Sequence, residues 1–89
     1  MKAFNEFTKN FTKDRDKAIT ECLEQDSLEP FKKFHEKYTK LGVYNLALPK
    51  DEVLQITVMK IACNSRGVST KLQAKAESWL KERGLRTNI

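Results

Sequence analysis

Val43–Cys63 reads VYNLALPKDEVLQITVMKIAC, and two folds compete for it. Tyr44, Leu46 and Leu48 alternate with other residues, as in an extended segment. Ile56-Thr57-Val58 is a β-branched run, which suits a strand. On that reading residues 43–59 form a hairpin around Pro49-Lys50-Asp51-Glu52, and the chain is α+β. The turn lacks the Gly or Asn that a tight hairpin uses to reach positive φ. The other reading starts a helix near Lys50. Asp51 and Glu52 then fall in its first turn, where carboxylates favour the helix dipole. From Val53 to Cys63 nearly every residue is apolar. A helix over about 50–64 would be covered on most sides, and is expected to be the central one. The helix is the reading adopted, with the hairpin at 43–59 as the alternative.

The elements on either side favour an all-α fold. Before the ambiguous stretch, Ser27 precedes Glu29 and Pro30, which read as an N-cap and a first turn. Phe31, Phe34, Tyr38 and Leu41 then recur at i, i+3, i+7 and i+10, and Gly42 stands where a left-handed cap is common. After it, Ser69 caps a last helix with Leu72, Ala76, Trp79 and Leu80 on one face, ended by Gly84. Upstream, Ala18, Ile19, Cys22 and Leu23 give a helix from about Lys13 to Gln25. The charged run Thr12–Lys17 interrupts the apolar face, which leaves either one long helix with an exposed middle or a helix preceded by a short helical or loosely packed arm over residues 1–12; the second is the reading adopted. Residues 85–89 read as a frayed tail. The expectation is one domain over 1–89, a compact bundle of about four helices with short connections.

At 89 residues such a domain buries only roughly 60–65% of the surface its unfolded chain exposes. With 39% hydrophobic and 33% charged residues, the composition argues against disorder. No apolar run approaches the roughly 18–20 residues that span a bilayer, so no membrane association is expected. The first residues, MKAFNEFTKNF, have no continuous apolar core and do not read as a secretory signal. A reducing cytoplasmic setting is the expectation, with Cys22 and Cys63 as unpaired small hydrophobes.

The net charge of +5 is unevenly placed: residues 1–31 hold five basic and seven acidic side chains, residues 32–89 twelve and five. An anionic partner would be drawn to the second region. Within it, Ile61–Thr70, IACNSRGVST, has the residue types of a helix-turn-helix corner: Ala62, then Gly67, Val68 and Ser69. The spacing departs from that motif, because Gly67 follows Ala62 by five residues rather than four and Leu72 comes one position early. A reading helix set on this corner would present Thr70, Lys71, Gln73 and Lys75, with Arg66 at its entrance. Gln suits adenine, while Lys and Arg suit guanine or phosphate. Lys33, Lys37 and Lys40 form a second basic row on the preceding helix, fit for backbone contacts. Any solvated basic helix shows similar faces.

A second function class rests on Phe4, Phe7 and Phe11. At i, i+3 and i+7 they make an aromatic face that could dock on a protein partner or a second copy. The chain then serves as an adaptor, inhibitor or assembly factor. No residue set matches a catalytic constellation: His35 is the single histidine, with no base–nucleophile motif near it. No spacing of Cys, His or carboxylates indicates a metal site, and no cofactor is implied. The function expected is therefore non-catalytic binding, first as a nucleic-acid-associated regulator and alternatively as a protein-interaction module.

Overall fold

In the computed structural model, backbone is described for residues 2–42 and 47–88, and side chains for residues 9–42 and 47–88. Four helices follow one another: α1 (Lys2–Gln25), α2 (Glu29–Lys40), α3 (Asp51–Asn64) and α4 (Thr70–Glu82). Among the described residues there is no strand. The ambiguous stretch is thus helical from Asp51, and the hairpin alternative is set aside. Thr57 fits the helix because its Oγ1 donates to the Val53 carbonyl one turn back, 3.1 Å away. Val43–Leu46 lie outside the described residues, so the extended segment expected there is described only from Ala47. Leu48 packs against the core.

The helix ends follow local rules closely. Asp26 adopts φ +51 after α1, and the Ser27 N–H donates to the Cys22 carbonyl at 3.1 Å. This is a Schellman ending with Asp in the left-handed position usually held by Gly. Gly42 (φ +81) and Gly84 (φ +68) end α2 and α4 as expected. After α4, the Leu85 N–H bonds the Leu80 carbonyl and the Gly84 N–H bonds the Lys81 carbonyl. Ser69 caps α4 by accepting from the Leu72 N–H at 3.3 Å. Ser27 acts one position earlier than expected. Leu28 is the residue preceding α2, while the Ser27 hydroxyl accepts from the Glu29 N–H at 3.2 Å.

The bundle's hub is α1, not α3. Twenty-four residues at 1.5 Å each make α1 about 36 Å long, close to the 41 Å longest dimension of the molecule. It packs against α2, α3 and α4, whereas α3 packs chiefly on α4 and secondarily on α1. The apolar composition of α3 misleads because Val53 remains 52% exposed while Leu54, Val58, Met59 and Ala62 carry the burial. Ile19 and Leu23 of α1, Leu54 and Val58 of α3 and Leu80 of α4 are completely enclosed. Each such side chain contributes about 1.5–3 kcal/mol relative to exposure.

No break separates an arm from α1, since the helix runs through the charged stretch 12–17 without interruption. Phe11 lies against α2, with ring centroids 5.4 Å from Phe34 and 4.9 Å from Tyr38. Tilted and edge-on contacts of this kind add to the burial itself. On the facing helix, Phe31, Phe34 and Tyr38 are buried as their spacing requires, but Leu41 is 59% exposed, beyond the last turn that meets α1. The C-terminal tail is anchored as well. The Thr87 carbonyl accepts from Asn64 Nδ2 at 2.6 Å and from Cys63 Sγ at 3.1 Å, drawing the tail across the end of α3. Cys22 and Cys63 are both free thiols, and burial pushes each pKa up.

One close approach joins α1 to the α3–α4 corner. Asp16 is buried on α1 beneath Gly67. A methyl group on Gly67 would overlap Asp16 Oδ2 and lie 2.8 Å from its Cγ and 3.0 Å from its Cβ. Arg15 neutralises the carboxylate from its own helix, with Nη2 3.1 Å from Oδ1, and reaches Ser65 Oγ at 3.4 Å. Gly67→Ala is expected to destabilise the fold by about 1–3 kcal/mol through this overlap. In an Asp16→Ala background the added cost should be smaller, since only Cβ remains in the way. Urea unfolding of the four proteins of this cycle measures it, and equal costs in both backgrounds would show that the contact is not the cause.

Candidate nucleic-acid interface

The corner between α3 and α4 is built from side chains that satisfy each other's backbone. The Val68 N–H donates to the Ser65 carbonyl at 3.2 Å, closing the turn. Ser65 is buried, and its hydroxyl donates to the Ile61 carbonyl at 2.6 Å. Asn64 Nδ2 donates back to the Lys60 carbonyl at 2.8 Å. The Ile61 carbonyl, in the last turn of α3, thus gains a side-chain donor from Ser65.

Gln73 belongs to this internal set. Its Nε2 donates to the Ser65 carbonyl and, at 3.0 Å, to the Val68 carbonyl. The amide that could have paired with adenine holds the corner closed instead. Lys75 is also committed, because its Nζ donates to the Leu23 carbonyl at 3.0 Å. That carbonyl lies in the last turn of α1, where a cation complements the helix dipole. Of the residues expected on the reading face, Arg66, Thr70, Lys71 and Lys75 are exposed and Gln73 is half-buried, but Lys75 has its ammonium on the Leu23 carbonyl. Arg66 and Lys71 carry no ion pair among the described residues. They flank the N-terminus of α4, so two cations and a hydroxyl gather where backbone N–H groups also point outward.

The row on α2 is divided. Lys37 binds Asp14 of α1 at 3.1 Å and Lys40 binds Glu36 at 3.2 Å. Lys33 is exposed, and no carboxylate pairs with it among the described residues. Lys32, not among the residues expected to bind, bridges Asp51 at 3.0 Å and so ties α2 to the start of α3. His35 is half-buried, with Nδ1 3.3 Å from Thr39 Oγ1. Among the described residues no cluster of His, Cys, Asp and Glu could hold a metal ion, and no helix is long and apolar enough to cross a membrane.

Of the aromatic trio, Phe11 is in the α1–α2 contact already described. The side chains of Phe4 and Phe7 lie outside the described residues. Three further cations, Lys9, Lys13 and Lys17, project along the open side of α1 and are not among the residues expected to bind. Their i, i+4, i+8 spacing is present in the sequence, but the acidic balance of residues 1–31 conceals it.

Tyr38 anchors the polar part of the α1–α2 contact by donating to Asp14 Oδ2 at 2.7 Å. Burial first, then the adjacent carboxylate, pushes the phenol from its ordinary 10.0 up to about 12. The hydrogen bonds from Tyr38 and Lys37 hold Asp14 below its ordinary value of 3.8.

No protein-family profile, curated protein or solved structure matches this chain. Its functional reading rests on the geometry of the site.

Two outcomes follow from these placements. Gln73→Ala should lower stability by about 1–2 kcal/mol, because the part-buried Val68 carbonyl loses its side-chain donor and the Ser65 carbonyl keeps only the Val68 N–H. A thermal melt checks it, and unchanged stability would free Gln73 for a binding role. The raised Tyr38 pKa means that its stabilising effect is complete below pH 10 and is lost as pH rises through about 12. The lowered Asp14 pKa acts at the other end, its effect being present above 3.8 and lost as pH falls through the depressed value. Denaturant midpoints across pH should show the alkaline loss in the native chain and a smaller one in Tyr38→Phe.

Proposed function

We propose that this chain is a small non-catalytic module that associates with nucleic acid through the phosphate backbone, using the corner at residues 61–75. The supporting observation is the exposed pair Arg66 and Lys71 at the N-terminus of α4. Thr70 stands between them, and no carboxylate neutralises either cation among the described residues. Lys33 on α2 adds a further unpaired cation. Contacts of this type position a protein on a duplex without reading bases. Gln73, the side chain best suited to a base edge, is engaged inside the corner. The proposed binding is consequently general in sequence and steep in salt.

The test is fluorescence anisotropy of a labelled mixed-sequence duplex over a salt series. Micromolar binding that weakens as salt rises from about 50 to 200 mM is the expected result. Arg66→Ala with Lys71→Ala should reduce the salt slope by about two, close to one for each phosphate no longer held by a cation. No binding by the native chain at the lowest salt would overturn the reading. So would an unchanged slope in a double variant that remains folded.

A further inference from the structure

We infer that the open face of α1 is a self-complementary surface on which a second copy of this chain docks antiparallel. Lys9, Lys13, Lys17, Thr20, Glu21 and Glu24 line one open trough along α1, with Gly67 of the corner at its wall. Asp14 and Asp16 line it too, but Asp14 is held by Lys37 and Asp16 by Arg15. The charges left without an ion pair are segregated, cations in the N-terminal half and the two glutamates in the C-terminal half. Elsewhere on the molecule carboxylates are likewise drawn into ion pairs, among them Glu36, Asp51 and Glu77. These three lysines and two glutamates have no ion pair among the described residues. Even Lys17 and Glu21, one turn apart on the same helix, do not bridge.

A second α1 laid antiparallel supplies partners for Lys9, Lys13, Glu21 and Glu24, while Lys17, exposed on each copy, lies beside the axis near its own counterpart and opposes association. With a two-fold axis beside Lys17, Lys13 comes opposite Glu21 of the second copy and Lys9 opposite Glu24 of the second copy. The same pairs recur on the other side of the axis, as an isologous contact requires. The two lysines stand about 6 Å apart along the helix and the two glutamates about 4.5 Å, close enough for both pairs to form together. Threonine methyls and lysine stems supply carbon surface between the charges. A helix pair of about 22 Å makes a small interface, and exposed ion pairs add little each, so the dimer is weak and salt-sensitive. An anionic ligand would fit the lysines but not Glu21 and Glu24, which is why a second copy is the favoured occupant. Because Gly67 borders the trough, the dimer also brings both corners near one face. Dimer formation does not depend on nucleic-acid binding.

Sedimentation of the full chain over a concentration series at low salt tests it. Native protein is expected to shift from monomer to dimer with rising concentration and to return to monomer on adding salt. Lys13→Glu alone and Glu21→Lys alone should each weaken association about tenfold or more, by setting like charges opposite. Lys13→Glu combined with Glu21→Lys should restore it, since the swapped charges still meet across the axis. Circular dichroism confirms that each variant is folded. A native chain that stays monomeric throughout overturns the inference, as does a folded double variant that fails to recover. If an anion occupied the trough instead, Glu21→Lys would strengthen its binding and the double variant would show no dimer, which also overturns it. Dimer formation without duplex binding would uphold this surface and fail the nucleic-acid reading, and the reverse result would do the opposite.

Discussion

Where α1 meets the α3–α4 corner, a buried carboxylate and a residue without a side chain occupy adjoining space. Asp16 lies under Gly67, and Arg15 supplies the countercharge while reaching toward Ser65. A buried carboxylate is costly unless it is paired, so this junction tolerates little change in spacing. It fixes how far the corner sits from α1, and with it the approach of α4. Lys75 can then reach the end of α1, and Leu80 can close the core against Ile19 and Leu23. The α1–α2 contact is built separately, on Phe11, Phe34, Tyr38 and the Asp14 carboxylate. The molecule is thus two helical pairs, α1 with α2 and α3 with α4, joined through α1.

Much of the polar equipment that could have served a ligand serves the fold. Gln73 and Lys75 satisfy backbone carbonyls, and Lys37 and Lys40 satisfy carboxylates. The surface left over has two characters. Around the corner it is cationic, with Arg66 and Lys71. Along α1 it is divided, positive toward the N-terminus and negative toward Glu24. The first suits a uniformly charged polymer, and the second suits a copy of itself turned end for end. The two surfaces adjoin at Gly67, which lines the trough and lies next to Arg66 in the corner.

The helices themselves were legible because their signals are local. Ser69 needs only the backbone N–H three residues on, and Gly42 and Gly84 need only their own φ. The aromatic period of α2 likewise pointed to its buried face. Length and charge favoured a helix over a strand for α3: acid at its start and eleven largely apolar residues suit a packed helix more than a hairpin lacking Gly. At residues 12–17 the two readings were one long helix and a break, and charge favoured the break where the helix in fact continues. In a helix that packs on several partners at different heights, a charged turn can sit between two contact zones without interrupting either.

From the sequence alone came the number and kind of elements, their capped ends, the free cysteines and the cationic bias of residues 32–89. The tertiary structure decided which helix lies at the centre, that Gly67 is demanded by Asp16 rather than by a turn's φ, and which basic side chains stay available. The reason is one of range. Periods, caps and composition act within a few residues, whereas the partner of Lys75 lies 52 residues away. The pairing of a long polar side chain depends on what the opposing helix presents, and that is set only when the helices have packed.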